Sequence, residues 1–375
     1  MKLSSEKILY LKKFLNSVKS KSTNLDFYSD YWKYFASEMR VDFKDDNEVI
    51  VYGGSKGASI YFNKIILLRN LFYLNSFKKS SSFLLKYLKN KLLQFKNARK
   101  IKKLNWAEGF DRVMRNDQLT EHILSEHYVN HLELRAKYKN IYGTSKEVIK
   151  DYKKWGSMKI TEKMFMHYYN FNLLYPYLSR QDKDFQSTFM DIGGGNGLLA
   201  SILCSKHKPK NMIIVDLPQT LINSYCYLGN CFTENNIYLP NEFNSKEDLQ
   251  KIMNKDSSLG TSFYLLSPDQ ISFIPSNSVD LSINSTSFQE MNFEQIQDYF
   301  DLIERVSKNK SLFYCVNRVQ KSPHGEESSR YKGKPNIFYE YPWAKKNKLL
   351  INEISRLYGV CQYEPVAIRL QEISK

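Results

Sequence analysis

A group of glycines lies near the middle of the chain, directly after a short apolar run. The sequence FMDIGGGNGLLASIL places Gly193, Gly194, Gly195 and Gly197 between this run and a segment with helical spacing. Glycines at such a turn let the backbone approach a ligand closely and adopt positive φ angles. The helix that follows presents unpaired N–H groups at its start, which suit negative or polar ligand atoms. The pattern therefore predicts a ligand-binding turn between a strand and a helix.

Two carboxylates accompany the glycine turn. Asp191 lies just before it, and Asp216 ends the next apolar run, NMIIVD. In a doubly wound sheet the ends of neighbouring strands meet at one edge, so we expect Asp216 beside the turn, where it can accept hydrogen bonds from both hydroxyls of a ribose. The dinucleotide fingerprint G-x-G-x-x-G is not matched, because Leu198 stands where its third glycine belongs.

The elements that must position these residues begin at about residue 186, where short apolar strands start to alternate with helical segments. Strands are predicted at Thr188–Ile192, 212–216, Ser262–Leu266, 279–284 and 312–317. Helices are predicted near 197–207, 218–229, 292–307 and 345–358, with a further strand or hairpin at 361–372. Alternation of this kind favours parallel strands joined by crossover helices, hence an α/β sheet covered on both faces.

The region 1–180 differs from the rest of the chain in both rhythm and charge. Apolar residues recur there at three- and four-residue spacing and Gly and Pro are rare, which predicts helices. The chain has 55 Lys+Arg and 39 Asp+Glu, a net charge of +16, of which the region 1–180 carries +17 and the remainder −1. We therefore predict a basic helical domain at 1–154, with a role in acceptor binding, membrane contact or oligomerisation, and a second domain at 155–375.

The positive charge is concentrated between Glu48 and Glu108, where 13 Lys/Arg occur and no acidic residue. Such a segment suits polyanions or anionic lipid headgroups. An A/T-rich genome would also raise the lysine count, but it does not explain why acids vanish from one stretch. Within this segment a basic amphipathic helix around Leu85, Leu88 and Leu92 could lie on an anionic membrane or pack on a neighbouring helix.

The cysteines and the apolar tracts indicate a compartment. The five cysteines are scattered, odd in number and without a C-x-x-C pair, which disfavours a disulfide framework or a cysteine zinc site. This pattern predicts a protein of the reducing cytoplasm. Charge interrupts the opening MKLSSEKILYLKKFL too early for a signal peptide, and the longest apolar tract, 60–77, is too polar for a membrane span. We expect a cytoplasmic protein that could contact the inner face of the cell membrane.

The order of strand, glycine turn, helix, strand and acid, written as DIGGGNG and VDLP, resembles the class I S-adenosylmethionine-dependent methyltransferases. The resemblance implies a Rossmann-like doubly wound sheet, mostly parallel, and S-adenosylmethionine as the cofactor. It implies that the glycine turn and Asp191 hold the methionine moiety, that Asp216 binds the ribose and that 265–270 borders the adenine. The cofactor-binding residues expected on this basis are Asp191, Gly193, Gly194, Gly195, Gly197, Asp216, Leu217, Ser267, Asp269 and Asn284.

The sequence after the fourth strand indicates the class of acceptor. VDLP is typical of small-molecule O-methyltransferases, but the His that they commonly carry after this strand is absent from VDLSINSTSFQEMN, as is the Asn/Asp-Pro-Pro-Tyr/Phe type tetrapeptide of nucleic-acid amino methyltransferases. INSTSFQEMN, with FYCVNR and YEYPW, is similar to the sugar O-methyltransferase family of bacterial surface-glycan gene clusters over about residues 155–345. This implies a sugar, nucleotide-sugar or lipid-linked glycan acceptor in capsule or lipopolysaccharide synthesis. The alternatives are an RNA methyltransferase that uses the basic half and a small-molecule O-methyltransferase.

A sugar hydroxyl becomes a good nucleophile only when its proton is removed, so a positioned base or a metal ion is expected. Glu290, just beyond the fourth strand, is the leading candidate for the base, although it could instead cap the helix that begins near Asn292. His324, in the long loop after the fifth strand, is the alternative base. A divalent metal is an option that no residue pattern indicates. Acceptor contacts are predicted for Gln289, Asn317, Arg318, Tyr341 and Trp343.

Overall fold

A computed structural model describes residues 5–21, 40–44, 48–52, 162–178, 187–232, 236–254, 260–321, 336–355 and 366–375. The chain divides into two compact units, one formed by Met1–Tyr52 with Lys154–Lys375 and the other by Gly53–Lys153. The described residues all belong to the first unit. His324 and the basic segment 56–103 lie outside the described residues, so their predicted roles stay predictions.

The helices and strands of the described part are as follows. The α-helices are α1 (Ser5–Lys21), α2 (Glu162–Leu178), α3 (Leu198–Lys206), α4 (Pro218–Cys231), α5 (Lys246–Met253) and α6 (Phe293–Val306). The strands are β1 (Arg40–Lys44), β2 (Glu48–Tyr52), β3 (Thr188–Ile192), β4 (Asn211–Val215), β5 (Ile237–Tyr238), β6 (Ser262–Leu266), β7 (Val279–Ser285), β8 (Ser307–Arg318), β9 (Gln320–Lys321), β10 (Asn336–Ile337), β11 (Lys348–Ser355) and β12 (Val366–Glu372). The 3₁₀ turns of this part are η1 (Pro240–Glu242), η2 (Pro268–Phe273), η3 (Phe288–Glu290) and η4 (Phe338–Glu340).

An eight-stranded sheet of order β11-β12-β8-β7-β3-β4-β6-β5 forms the core of this unit. The strands from β8 to β5 in this order pair in parallel, whereas β12 is antiparallel to both β8 and β11. The chain order reverses around β3, which lies between β7 and β4; ligands bind doubly wound sheets at such a switch point. The predicted α/β fold with a mostly parallel sheet is therefore confirmed.

The central strands form where the sequence predicts them because they are buried on both faces. Every residue of β3, β4 and β6 is buried, and a strand of this kind has a nearly continuous apolar sequence. Met190 and Ile192 of β3 pack in one hydrophobic cluster with Ile296 and Ile303 of α6. This packing fixes the position of the carboxyl end of β3, directly after which the glycine turn begins.

Two regions differ from the sequence-based expectation. The predicted helix at 345–358 is wrong, because Lys348–Ser355 forms the edge strand β11, paired antiparallel with β12. Its sequence, KLLINEIS, has apolar spacing compatible with either state, and pairing with the neighbouring strand decides between them. Within the region 1–154, β1 and β2 form an antiparallel hairpin, so the described part of that region is not purely helical.

Helix α1 belongs to the same compact unit as the sheet. It buries Ile8, Leu11 and Phe14 at the three- and four-residue spacing of an amphipathic helix. The predicted boundary at 154/155 stays a prediction, but Met1–Tyr52 groups with the sheet rather than with Gly53–Lys153. None of the described helices combines the length and the apolar character that a bilayer span requires.

Candidate functional site

The glycine turn leaves the carboxyl end of β3 in a conformation that suits glycine. Gly193, Gly195 and Gly197 have φ angles of 68°, 60° and 81°, the left-handed region that residues with a side chain rarely adopt. The N–H of Gly193 donates to the carbonyl oxygen of Val215 at 2.7 Å, which ties the turn to the end of β4. The turn therefore lies at the switch point of the sheet.

The space around each glycine shows why a side chain is absent there. A Cβ atom on Gly193 would lie 2.3 Å from the Cβ of Ser287, and one on Gly194 would lie 2.9 Å from Cγ2 of Ile214. A Cβ atom on Gly195 would meet no atom of the described residues within 4 Å. Packing within the protein thus requires glycine at positions 193 and 194, whereas Gly195 faces open space that a ligand could fill.

Asp216 holds the peptide of Gly195 and lies at the rim of this space. Its Oδ2 accepts the N–H of Gly195 at 2.8 Å, and its Oδ1 accepts the N–H of Leu217 at 2.7 Å. Burial raises the pKa of Asp216 to about 7, with a contribution from the negative charge of Glu290. The predicted juxtaposition of the turn and this acid is present in the structure, and Leu217 is the N-cap residue directly before α4.

Asp191 lies beneath the turn with one oxygen atom unused. The residue is only 1% exposed, and its Oδ2 has no hydrogen-bond partner among the described residues. Burial, together with the charge of Asp216, raises the pKa of Asp191 to about 8. The charge of Asp216 acts on Asp191 and the charge of Glu290 acts on Asp216, so these carboxyl groups lie close together. A cation bound beside them would favour their ionised forms.

Ser224 of α4 was not predicted from the sequence, although it completes the support of the turn. Its hydroxyl donates to the carbonyl oxygen of Gly195 at 2.5 Å, and the residue is fully buried. The backbone of Gly195 is therefore held at its N–H by Asp216 and at its carbonyl oxygen by Ser224. A small polar residue among the apolar residues of α4, between Leu221 and Leu228, was the available signal.

The side chain of Asn284, which is predicted to bind the cofactor, forms hydrogen bonds within the protein. It is fully buried, and its Nδ2 donates to the carbonyl oxygen of Ile192 at 3.0 Å and to Ser287 Oγ at 2.5 Å. Thr286 has a φ angle of 65°, which is rare for a β-branched residue and marks a strained turn. The end of β7 is thus fastened to the glycine turn, and direct contact of Asn284 with a cofactor stays a prediction.

Asn317 and Gln289, predicted to bind the acceptor, belong to the same network. Asn317 Nδ2 donates to Asn284 Oδ1 at 2.8 Å, and Asn317 Oδ1 accepts the N–H of Gln289 at 3.1 Å. The side-chain oxygen of Gln289 accepts the N–H of Arg318 at 2.9 Å. These amides join the ends of β7 and β8 to η3, so they position the neighbouring residue Glu290; their contact with an acceptor is untested.

Glu290 does not cap helix α6. The cap is Asn292, whose Oδ1 accepts the N–H of Gln295 at 2.8 Å while the Gln295 side chain accepts the N–H of Asn292 at 3.1 Å. Glu290 is partly exposed at the end of η3, and its charge acts on Asp216. This position near the glycine turn is compatible with a role as the base.

The segment after β6, which is predicted to border the adenine, lies beside Asp216 in the structure. The N–H of Asp216 donates to the carbonyl oxygen of Leu266 at 3.1 Å. Ser267 Oγ donates to a carboxylate oxygen of Asp269, and the N–H of Ser267 donates to Oε1 of Gln270 at 3.3 Å. Ser267 and Asp269 thus lie at the start of the 3₁₀ turn η2, next to Asp216.

Tyr341 and Trp343 lie in an aromatic cluster. Tyr341 is only 4% exposed, and its ring centroid is 5.5 Å from that of Phe338. Trp343 Nε1 donates to the carbonyl oxygen of Phe338 at 2.9 Å, and the guanidinium of Arg369 lies 4.4 Å from the Trp343 ring centroid. Core packing accounts for these contacts, and the role of both residues in acceptor binding stays a prediction.

Within the described ranges, no group of three or more His, Cys, Asp or Glu side chains is arranged to hold a metal ion. No protein-family model and no curated protein sequence matches the chain. Solved structures do match it. A Galdieria sulphuraria protein assigned as a sarcosine dimethylglycine methyltransferase is similar with 12% identity and a TM-score of 0.37, over 61% of this chain and 98% of that chain.

Two further similar structures are named as methyltransferases. The geranyl diphosphate C-methyltransferase of Streptomyces coelicolor A3(2), in complex with Mg²⁺, geranyl diphosphate and S-adenosyl-L-homocysteine, has 11% identity and a TM-score of 0.36, over 59% of this chain and 86% of that chain. A geranyl diphosphate methyltransferase in complex with SAM has 10% identity and a TM-score of 0.36, over 59% and 94%. At these TM-scores the function must be inferred from the site of the chain itself.

Proposed function

We propose that this chain is an S-adenosylmethionine-dependent methyltransferase. The observation that carries the proposal is the Gly195 turn at the switch point of the sheet. Its left-handed backbone borders open space, and the same peptide is held by Asp216, whose carboxylate stands at the rim. This combination suits a ligand that brings a ribose to the acid and extends along the turn.

The residues present fit this cofactor in charge as well as in shape. Asp216 retains acceptor capacity on both oxygens for ribose hydroxyls, because each oxygen has a second lone pair. The unpartnered Oδ2 of Asp191 and the nearby carboxyl groups favour a ligand with an ammonium and a sulfonium group. When bound, S-adenosylmethionine supplies a methyl group on a sulfonium sulfur. The glycine turn would hold its methionine part, and Ser267 and Asp269 would border the adenine.

We further propose that the acceptor is a hydroxyl of a sugar in surface-polysaccharide synthesis, carried as a nucleotide sugar or a lipid-linked glycan. The support is the resemblance of 283–292 to sugar O-methyltransferases and the position of Glu290 beyond β7. Glu290 would take the hydroxyl proton and become a carboxylic acid as the oxygen bonds to the methyl carbon. The bond between that carbon and the sulfonium sulfur would break, and neutral S-adenosylhomocysteine would leave. Typical contributions of such a base are about 10²–10⁴-fold in rate.

The basic region 1–180 favours RNA as a second candidate acceptor, because phosphate groups attract clustered Lys and Arg. A test that separates these candidates uses methyl-labelled S-adenosylmethionine, purified full-length protein and three acceptor pools: nucleotide sugars, lipid-linked glycans and total RNA. We expect label in one of the sugar pools, in a product with one added methyl group. Label in RNA alone would favour the second candidate, and absence of label from every pool would contradict an enzymatic role.

The basic segment at 56–103 supports a peripheral contact with anionic membranes, where a lipid-linked acceptor would be found. Pelleting with liposomes tests this contact. We expect the protein to pellet with vesicles that contain anionic lipid, less so as salt rises. Equal pelleting with neutral vesicles would contradict an electrostatic contact.

A further inference from the structure

A buried ion pair fixes helix α1 to the sheet domain. Lys7 Nζ lies 3.2 Å from Glu242 Oε1, and the side chains of the two residues are only 9% and 12% exposed. Lys7 Nζ also donates to the carbonyl oxygen of Ile237 at 2.9 Å and lies 5.5 Å from the ring centroid of Tyr238. A buried cation with this many partners has one defined position.

Glu242 connects Lys7 to the 3₁₀ turn η1. Its Oε2 accepts the N–H of Leu239 at 2.7 Å, which closes the turn around the carboxylate. A second contact reaches η1 from α1, because Asn241 Nδ2 donates to the carbonyl oxygen of Tyr10 at 3.3 Å. Two neighbouring side chains of η1, those of Asn241 and Glu242, are therefore held by α1.

The far side of η1 holds Gln270 of η2. Gln270 Nε2 donates to the carbonyl oxygens of Pro240 and Phe243 at 2.8 and 3.4 Å. The other end of the same side chain, Oε1, accepts the N–H of Ser267 at 3.3 Å. A single amide thus joins η1 to the segment 267–270, which follows β6 and lies beside Asp216.

We propose that Lys7 is a positioning residue for the adenine side of the cofactor site, acting through Glu242, η1 and Gln270 on Ser267 and Asp269. This inference rests on the proposed function, because it assigns the segment 267–270 to the adenine. Helix α1 then helps to position the cofactor site, although Lys7 and Ser267 are far apart in the sequence. The expected effect of losing Lys7 is a looser segment 267–273 and weaker binding of adenosine-bearing ligands.

The experiment compares Lys7→Met and Gln270→Ala with wild-type protein, and uses Lys308→Met, which removes a more exposed ion pair, as a control. Lys308 also forms an ion pair, at 2.9 Å from Asp280. Asp280, however, lies near the amino end of β7, at the opposite end of the strands from the glycine turn, where it accepts the N–H of Thr188. Two quantities are measured below the unfolding temperature of every variant. They are amide hydrogen exchange in peptides that cover 267–273, and the Kd of S-adenosylhomocysteine by calorimetry.

We expect Lys7→Met and Gln270→Ala each to speed exchange at 267–273 and to raise the Kd about five- to tenfold, within the usual range of coupling between distant residues. The double variant should lose little more than either single variant, because both changes break one chain of contacts. Lys308→Met should change neither quantity. Unchanged exchange and Kd in Lys7→Met, or an equal loss in Lys308→Met, would overturn the proposal.

The two arms separate this inference from the proposed function. If wild-type protein failed to bind S-adenosylhomocysteine, the cofactor assignment would be contradicted, while the exchange data would still decide whether Lys7 controls 267–273. If wild-type protein bound it and Lys7→Met bound equally well, the cofactor assignment would stand and the role of Lys7 would be wrong.

Discussion

Alanine substitutions at Gly193 and Gly195 distinguish the part of the turn that binds a ligand from the part that packs within the protein. Gly195 and Gly193 have similar φ angles of 60° and 68°, so an alanine at either position incurs the same left-handed strain, about 1–2 kcal/mol. The Gly→Ala change recovers about 0.4–1 kcal/mol by restricting the unfolded chain. At Gly195 no further cost arises from the residues that the structure describes, because a Cβ there would meet none of their atoms within 4 Å. We therefore expect Gly195→Ala to lower the free energy of unfolding by about 1.6 kcal/mol or less.

Gly193→Ala should cost considerably more. Its Cβ would lie 2.0 Å from Oγ and 2.3 Å from Cβ of Ser287, so the loop after β7 must move. The move breaks the hydrogen bond from Ser287 Oγ to the carbonyl oxygen of Ile192, at 3.1 Å. Overpacking of about 1–3 kcal/mol and a lost hydrogen bond of about 1 kcal/mol add to the strain. The expected loss of stability is about 3 kcal/mol.

The effects on ligand binding should be distinct from those on stability. In Gly195→Ala the new methyl group occupies the space assigned to the cofactor, and a clash of about 1–3 kcal/mol corresponds to a Kd roughly 10- to 100-fold higher. Urea unfolding gives the stability of each variant, and calorimetry with S-adenosylmethionine gives its affinity. If Gly195→Ala bound with wild-type affinity, or destabilised the protein as much as Gly193→Ala, the assignment of the open space would be refuted.

Three further predictions concern the polar residues of the site. Burial raises the pKa of Asp191 to about 8, so the folded protein binds more protons than the unfolded chain between about pH 4 and pH 8, and its stability falls as pH rises through that range. Asp191→Asn should flatten this dependence in urea unfolding at pH 5 and pH 8; an unchanged slope would contradict it. Glu290→Gln should lower kcat about 10²–10⁴-fold with little change in cofactor Kd; an unaltered kcat would exclude Glu290 as the base. Ser224→Ala should lower the free energy of unfolding by about 1 kcal/mol and weaken cofactor binding, because the Gly195 carbonyl loses its donor; normal affinity would show that Ser224 is merely structural.

The sequence was sufficient to predict the central strands and the glycine turn because both have local causes. β3 and β6 form at Thr188–Ile192 and Ser262–Leu266 as predicted, since strands buried on both faces need continuous apolar residues. The edge strand β11 could not be identified in this way, because Leu349 and Ile354 are exposed and its apolar spacing fits a helix equally well. Pairing with β12, a contact between distant residues, determines its structure.

The same distinction applies to the site. Asp216 follows its strand directly, so its place at the sheet edge could be predicted from chain order. The support from Ser224 and Ser287 could not, because they reach Gly195 and Ile192 across 29 and 95 residues of sequence. Residue type alone did not distinguish packing from binding for the buried Tyr341. Only its environment in the structure shows that its ring packs in the core.

Binding of S-adenosylmethionine to wild-type protein, Asp216→Ala and Asp280→Ala tests the central claim most directly. Both carboxylates accept a backbone N–H at 2.8 Å, but only Asp216 lies at the carboxyl edge of the sheet beside the glycine turn. We expect calorimetry to show one cofactor bound per chain in wild-type protein and Asp280→Ala, and loss of binding in Asp216→Ala. An unchanged isotherm in Asp216→Ala, or no binding by the wild-type protein, would contradict the account.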